Sequence, residues 1–421
     1  MDATPPPATA RHAGIAGIAG LAGIDPDQLA ASNPVLVARL HEEIATGGPI
    51  TVARFMERAL YEPSVGYYRA PARRPGREGD FLTAPETHPF FGFSLARQVA
   101  ECWERLGRPD PFTIREYGPG MGTLAYDILA ALATEHPEVA ATARYRLCDV
   151  NTHRLREALA AMEEVGLGEV VSAETPDEAA TSPITGVALA NEVADALPCH
   201  QVVVRNGNLR ERLVGWDEAA GWFALVEGPL SPALAAFDPV TRLAAEGVAV
   251  AALPEGSVLE ICPAAASWIA EVGRGLARGY AMIVDYGYPS PELYAGHRLE
   301  GLLRGYRDHA VTADPLNAIG EQDLTAHVDF SLLMDAAAGA GMIPCGLTTQ
   351  GDALAALGLG DFLLAMQQED GVSLDDYYQT QAAVLRLIDP GGMGRFRVLG
   401  LAKDAPVDPP LRAFTTAALP F

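Results

Sequence analysis

Residues 115–124 read REYGPGMGTL, with glycines at 118, 120 and 122 and an acid, Glu116, two positions before the first of them. The preceding FTIREY has the length and apolar character of a strand, and the following GTLAYDILAALATE is apolar at helical spacing. A strand that turns through alternate glycines into a helix is a ligand loop at the carboxyl edge of a doubly wound sheet. Glycine lets the backbone approach the ligand and adopt positive φ. In the dinucleotide fingerprint, G-x-G-x-x-G, a pyrophosphate lies on the helix N-terminus. Here the spacing is G-x-G-x-G behind a carboxylate, which repels a pyrophosphate and suits a cation. S-adenosylmethionine carries an ammonium and a sulfonium, so this stretch favours that cofactor over NAD, with an ordinary tight turn as the alternative. Asp149 closes the next apolar strand, YRLCDV, 27 residues past Gly122. A carboxylate there can accept hydrogen bonds from both ribose hydroxyls, or it can cap the helix that follows.

Outward from the loop, strand and helix patterns alternate from residue 112 through GVALANE, which predicts a parallel sheet in an α/β fold. The rhythm then changes. HQVVVRNGNLRERLVGW and GWFALVEG read as antiparallel strands with Asn206-Gly207 as a hairpin turn. PAAASWIAEVGRGLARG reads as a helix and YAMIVDYGY as a strongly apolar central strand. The boundaries that follow are a flexible tail over 1–34, an N-terminal helical and lid section over 35–110, and a Rossmann-like core over 111–403. Insertions fall at about 198–256, 286–330 and 350–390, and a C-terminal tail runs over 404–421. The 286–330 insertion shows little regular pattern. The antiparallel stretch around 200–226 is a candidate dimer edge.

Composition excludes several classes. The 421 residues carry a formal net charge of −24, and Lys403 is the one lysine. No broad cationic face for nucleic-acid phosphates is expected. The five cysteines, Cys102, Cys148, Cys199, Cys262 and Cys345, are far apart and form no C-x-x-C pair, so neither a disulfide framework nor a metal site is expected. No apolar run reaches the roughly 18 residues of a membrane span. GIAGIAGLAGI near the start is a poor signal peptide and lacks the Arg-rich pattern of a transit peptide. The expectation is a cytoplasmic protein.

Nine stretches, in order from about residue 48 to 403, resemble the MidA family of S-adenosylmethionine-dependent methyltransferases: GPITVARFMERALYEPSVGYY, GDFLTAPETHPFFG, EYGPGMGTLAYDIL, ALANEVADALPCHQ, LPEGSVLEICPAA, IVDYGY, GLLRGYRDH, GEQDLTAHVDFS and MGRFRVL. That family includes a mitochondrial complex I assembly factor that methylates a protein arginine. The resemblance implies a class I methyltransferase, a Rossmann-like doubly wound sheet with an N-terminal helical section and inserted acceptor-binding segments. It implies S-adenosylmethionine as cofactor and arginine N-methylation as the reaction. The family commonly has Arg where Met121 stands and Ser where Ala84 stands. Two alternatives stay open: a small-molecule or peptide acceptor, and a non-catalytic cofactor-binding assembly factor.

On the cofactor side the candidates are Glu116, Gly118, Pro119, Gly120, Gly122, Asp149 and Asn191. The family signature over 79–86 adds Asp80 and Thr83, expected with Glu86 to fold over the methionine end. On the acceptor side they are Glu192, Asp195, His200 and His327. Glu192 could hold a guanidinium by charge-assisted bonds and leave one nitrogen facing the methyl, with Asp195 as the second arm. Each has a blander reading: Glu192 as a helix-dipole partner, Asp195 as a turn residue, His200 as a satisfied histidine opening a strand. Asp329 either faces the acceptor beside His327 or caps the helix starting at Phe330. Asp285 or Tyr286 is expected at the same sheet edge, and Glu260 is expected to be structural.

Overall fold

The computed structural model describes residues 24–70, 82–307, 310–312, 314–368 and 371–415. The chain divides into two compact units. One comprises Met1–Arg73, Ala196–Ala264 and Ser290–His327, the other Arg74–Asp195, Ala265–Pro289 and Val328–Phe421.

The second unit is built on a seven-stranded sheet. Its strands are β1 (Phe112–Tyr117), β2 (Ala143–Cys148), β3 (Val171–Glu174), β4 (Ile184–Asn191), β5 (Leu276–Asp285), β6 (Ile343–Thr349) and β7 (Arg397–Lys403). They lie in the order β3-β2-β1-β4-β5-β7-β6. The first five are parallel, and β7 runs antiparallel between β5 and β6. Every residue of β1 is buried, as expected of a central parallel strand covered on both faces. The chain leaves β1 for β2 and β3 on one side and returns for β4 and β5 on the other. That reversal puts the ligand-binding crevice of an open α/β sheet beside the carboxyl end of β1.

One buried charge belongs to this framework. Arg115, in the middle of β1, is fully buried, with Nε donating to Glu174, Nη1 to Gly275 O at 2.7 Å and Nη2 to Ser182 O at 2.8 Å. The absent side chain of Gly275 makes room, since a Cβ there would stand 2.8 Å from Nη1.

The first unit holds a sheet of five strands, Ile50–Thr51, His200–Arg205, Asn208–Asp217, Trp222–Gly228 and Val258–Ile261, and a three-stranded sheet of Arg304–Arg307, Ala310–Thr312 and Asp323–Thr325. Helices Pro34–Gly47 and Val52–Tyr61 bury Leu36, Val37, Leu40, Phe55, Met56 and Leu60 in its core. Asn206 and Gly207, at φ 52° and 73°, make the expected hairpin turn.

Three boundaries need correction. Within the expected tail over 1–34, Asp25 caps a helix at Pro26–Ala31, and Ile24 and Leu29 join the core of the first unit; residues 1–23 lie outside the described residues. The 286–330 insertion contains the three-stranded sheet. Its strands escape detection because they are only three or four residues long, too short for a period to register. The C-terminal tail is packed as far as Phe414, whose ring fills the space left by Gly346 and Gly400.

Candidate active site

Glu116, Gly118, Pro119, Gly120 and Gly122 occupy the turn from β1 into helix Thr123–Glu135. Gly118, Gly120 and Gly122 all have positive φ, at 66°, 55° and 85°. At Gly118 the requirement is double, because a Cβ would also stand 2.7 Å from Val193 Cγ2. The loop is tied down by Gly118 N–H donating to Cys148 O at 2.9 Å and Gly122 N–H donating to Pro119 O at 2.8 Å. No side chain caps the helix, which leaves its first N–H groups to a ligand or water. Glu116 is buried, and its Oε2 accepts from the Tyr145 hydroxyl at 2.8 Å. Burial pushes its carboxyl up to about 7 against the opposing Tyr145 bond.

Asp149 follows β2. Asn151, rather than Asp149, caps the next helix by accepting from His153 and Arg154 N–H. Asp149 Oδ1 accepts from Asn151 N–H at 2.7 Å, which orients the carboxylate at the strand end without committing it to the cap.

Across the switch point, β4 ends at Asn191 and the chain turns through Glu192 at φ 53°. Glu192 Oε1 accepts from Asn191 Nδ2 at 3.0 Å and from Ala84 N–H at 3.3 Å. Asn191 Oδ1 is buried and has no hydrogen-bond partner among the described residues. Asp195 is buried in the short turn Ala194–Ala196, and Asp285 is buried at the end of β5. Asp285 Oδ2 accepts from Ala194 and Asp195 N–H at 2.9 and 3.2 Å. Burial, then the charge of Asp195, pushes the Glu192 carboxyl up to about 8. Burial, then the charges of Asp195 and Glu192, drives Asp285 well above the usual carboxylate range. Three acids thus share one sheet edge, each close enough to raise another's carboxyl, and such a cluster favours a cationic neighbour.

The segment over 82–88 meets this edge through Ala84. Thr83 opens helix Ala84–Thr87, and its hydroxyl donates to Glu86 Oε2 at 2.9 Å in a capping box. Asp80 lies outside the described residues.

His200 and His327 belong to the other unit. His200 opens a strand there, and its Nδ1 lies 2.6 Å from Oε1 of the buried Glu211. The imidazole is thus engaged with a buried acid, which agrees with the blander expectation of a satisfied histidine opening a strand. His327 links Asp323–Thr325 to Val328–Asp329. Asp329 Oδ1 accepts from Leu332 N–H at 3.2 Å and caps the helix beginning at Phe330. Glu260, also of the first unit, accepts from Gln201 Nε2 and from Leu302 and Leu303 N–H, a structural role as expected.

Asp285 stands at the sheet edge where it or Tyr286 was expected. Two contributors carried no assignment. Val193 acts through its contour against Gly118, and Ala84 through its backbone, so neither carries a residue-type signal.

The residues fit S-adenosylmethionine on this geometry: a glycine loop at positive φ that tolerates no Cβ at Gly118, the buried acid Glu116 before it, the carboxylate of Asp149 at the next strand end, and an orphaned amide oxygen at Asn191. Comparison with known proteins agrees. The family model described as "Putative S-adenosyl-L-methionine-dependent methyltransferase" matches residues 94–348. A human protein named protein arginine methyltransferase NDUFAF7, mitochondrial, is 30% identical over 73% of this chain and 70% of its own length. The Drosophila melanogaster homologue is 29% identical over 74% of this chain and 71% of its own length. A Burkholderia thailandensis protein crystallised with S-adenosyl-homocysteine is 35% identical, with a TM-score of 0.79 and coverage of 93% of this chain and 97% of that one. The fly, human and bovine relatives are all named mitochondrial, which overturns the cytoplasmic expectation. Among the described residues no helix is long and apolar enough to cross a membrane.

Proposed function

Since the chain belongs to the family of S-adenosyl-L-methionine-dependent methyltransferases, we propose that it methylates a guanidinium nitrogen of arginine in a protein acceptor. The observation that carries this reading is the gathering of Glu192, Asp195 and Asp285 at the adjoining ends of β4 and β5. A guanidinium is a planar cation with five N–H donors and stays protonated at ordinary pH, so it needs carboxylates both to hold it and to take its proton. The fly and human relatives are named protein arginine methyltransferases, which points the same way.

The bound cofactor supplies an electrophilic methyl group on a sulfonium, open to in-line displacement by nitrogen. The Gly118–Gly122 backbone, Glu116 and Asp149 would hold its amino-acid and ribose ends. Glu192 and Asp195 would grip two edges of the guanidinium and leave the third nitrogen facing the methyl, so that alignment supplies most of the rate. As that nitrogen takes the methyl, a carboxylate of the pair accepts the proton it sheds. Glu192 suits the task, because burial and the charge of Asp195 push its carboxyl up to about 8. Asn191 Oδ1 is placed to accept from a donor of cofactor or acceptor.

The test is label transfer from methyl-labelled cofactor into a dialysed lysate with its small-molecule fraction restored, Glu192→Gln running in parallel. Label recovered as methylated arginine after protein hydrolysis supports the reading. Label confined to the small-molecule fraction, or arginine labelling undiminished in the variant, overturns it.

A further inference from the structure

Asp285 is fully buried at the last position of β5. Its Oδ2 accepts from Ala194 N–H at 2.9 Å and Asp195 N–H at 3.2 Å, and its Oδ1 accepts from Tyr286 N–H at 2.8 Å. The first two donors belong to the turn that directly follows Glu192. At the start of the same stretch, Glu192 N–H donates to Val284 O at 2.8 Å. Residues 192–195 therefore hang from the end of β5 by three hydrogen bonds, two of them made by one carboxylate. Between these anchors Glu192 holds φ 53°, a conformation a non-glycine residue keeps only where its surroundings determine it.

A carboxylate is a costly choice for this task. Two other acids stand beside it, and burying a third charge among them opposes folding. A neutral side chain could satisfy some of the same N–H groups. Asparagine could not satisfy all three, because its single oxygen serves either the Ala194–Asp195 pair or Tyr286, and its NH2 then faces the remaining donor.

We propose that Asp285 is a positioning residue for methyl transfer: without contacting the acceptor, it fixes the turn that aims Glu192 and Asp195. The inference rests on the reading of Glu192 as an acceptor-binding group. Asp285 then acts through Glu192, and the two side chains contribute to the rate as one unit.

The experiment compares full-length wild type, Asp285→Asn, Glu192→Gln and the double variant. It reads kcat and KM for the labelled acceptor fraction, S-adenosyl-homocysteine affinity, melting temperature, and amide hydrogen exchange across residues 192–196. Asp285→Asn should lower kcat by roughly 30-fold, with cofactor affinity within about twofold of wild type. Exchange at Ala194 and Asp195 should quicken by about tenfold or more. The double variant should be no slower than Glu192→Gln alone by more than about twofold, because residues acting as a unit are not additive. Should Asp285→Asn fail to fold, Asp285→Ser, smaller and still able to accept one N–H, replaces it. Unchanged exchange at 194–195 overturns the pin. A double variant whose loss is the product of the single losses overturns action through Glu192. If Glu192→Gln abolishes transfer to an acceptor other than arginine, the proposed acceptor falls while the Asp285 comparison still reads. If Glu192→Gln is fully active, the positioning role falls with it.

Discussion

The two sides of the switch point are built in different ways. At the ends of β1 and β2 the features are mainly of backbone: three positive-φ glycines and an uncapped helix, with the acids Glu116 and Asp149 beside them, all within residues 116–149. At the ends of β4 and β5 the features are carboxyl groups, with Glu192, Asp195 and Asp285 crowded together and Ala84 N–H donating to Glu192; on the proposed function the first side takes the cofactor and the second the acceptor. A backbone cradle fixes shape and tolerates few substitutions. A cluster of like charges fixes the sign of its guest and costs stability until the guest arrives. On this division, cofactor-edge variants should change cofactor affinity, and acceptor-edge variants should change turnover with cofactor affinity intact.

The largest effect is expected from Glu192→Gln. Loss of an acid that both aligns the cation and receives its proton should cut kcat by about 10³-fold, some 4 kcal/mol of barrier. Calorimetric affinity for S-adenosyl-homocysteine should stay within about twofold. A parallel fall in cofactor affinity would break the division, because Glu192 would then belong to both edges.

Gly118→Ala should produce the largest effect on the cofactor side. The new Cβ must bear φ 66° and stand 2.7 Å from Val193 Cγ2. Strain and contact together predict cofactor affinity about 30-fold weaker, roughly 2 kcal/mol. Equilibrium binding measures this, and the variant's residual rate at saturating cofactor should approach that of the wild type. A second substitution, Val193→Ala, sharpens the test by opening space for the methyl. It should recover part of the affinity and leave the φ strain in place.

The same contrast explains what the sequence disclosed. The cofactor edge is local: glycines at 118, 120 and 122, the preceding acid and the next strand-end acid fall within about 35 residues, and each residue type is demanded by its position. The β-α alternation also appeared directly, because strands buried on both faces are continuous apolar runs. The acceptor edge is assembled from Ala84, residues 191–195 and Asp285, some 200 residues apart. Only the sheet order brings them together, and one partner acts through its N–H alone. His200, although near Glu192 in sequence, opens a strand of another sheet, where its Nδ1 meets Glu211 Oε1 at 2.6 Å. The first unit was hard to read because its core draws on three separate stretches.

Asp149→Ala tests how far the cofactor edge depends on charge as well as on backbone. Asn151 keeps the helix cap whichever residue stands at 149, so the melting temperature should hold. Two lost hydrogen bonds to ribose hydroxyls should weaken the cofactor by about tenfold, or 1.4 kcal/mol. A stability loss without an affinity loss would assign Asp149 to the turn alone.

The smallest effect concerns Glu116, and its sign is fixed by the direction of the shift. Burial holds this carboxyl at about 7, so much of it is protonated at neutral pH. A cationic ligand favours the ionised form, and binding below pH 7 must first expel the proton. Affinity for S-adenosylmethionine should therefore fall as pH drops through 7 and level off above it, by about fourfold between pH 8 and 6.5. In the unliganded protein the same shift works the other way. A folded-state value above the ordinary one favours folding when the group is protonated, and that advantage is lost as pH rises through 7. Glu116→Gln should flatten the affinity profile and raise the melting temperature more at pH 8 than at pH 5. Calorimetric titration at three pH values and thermal melts at two decide the matter. A profile equally steep in the variant would move the titrating group away from Glu116, and with it the electrostatic reason for an acid before the first glycine.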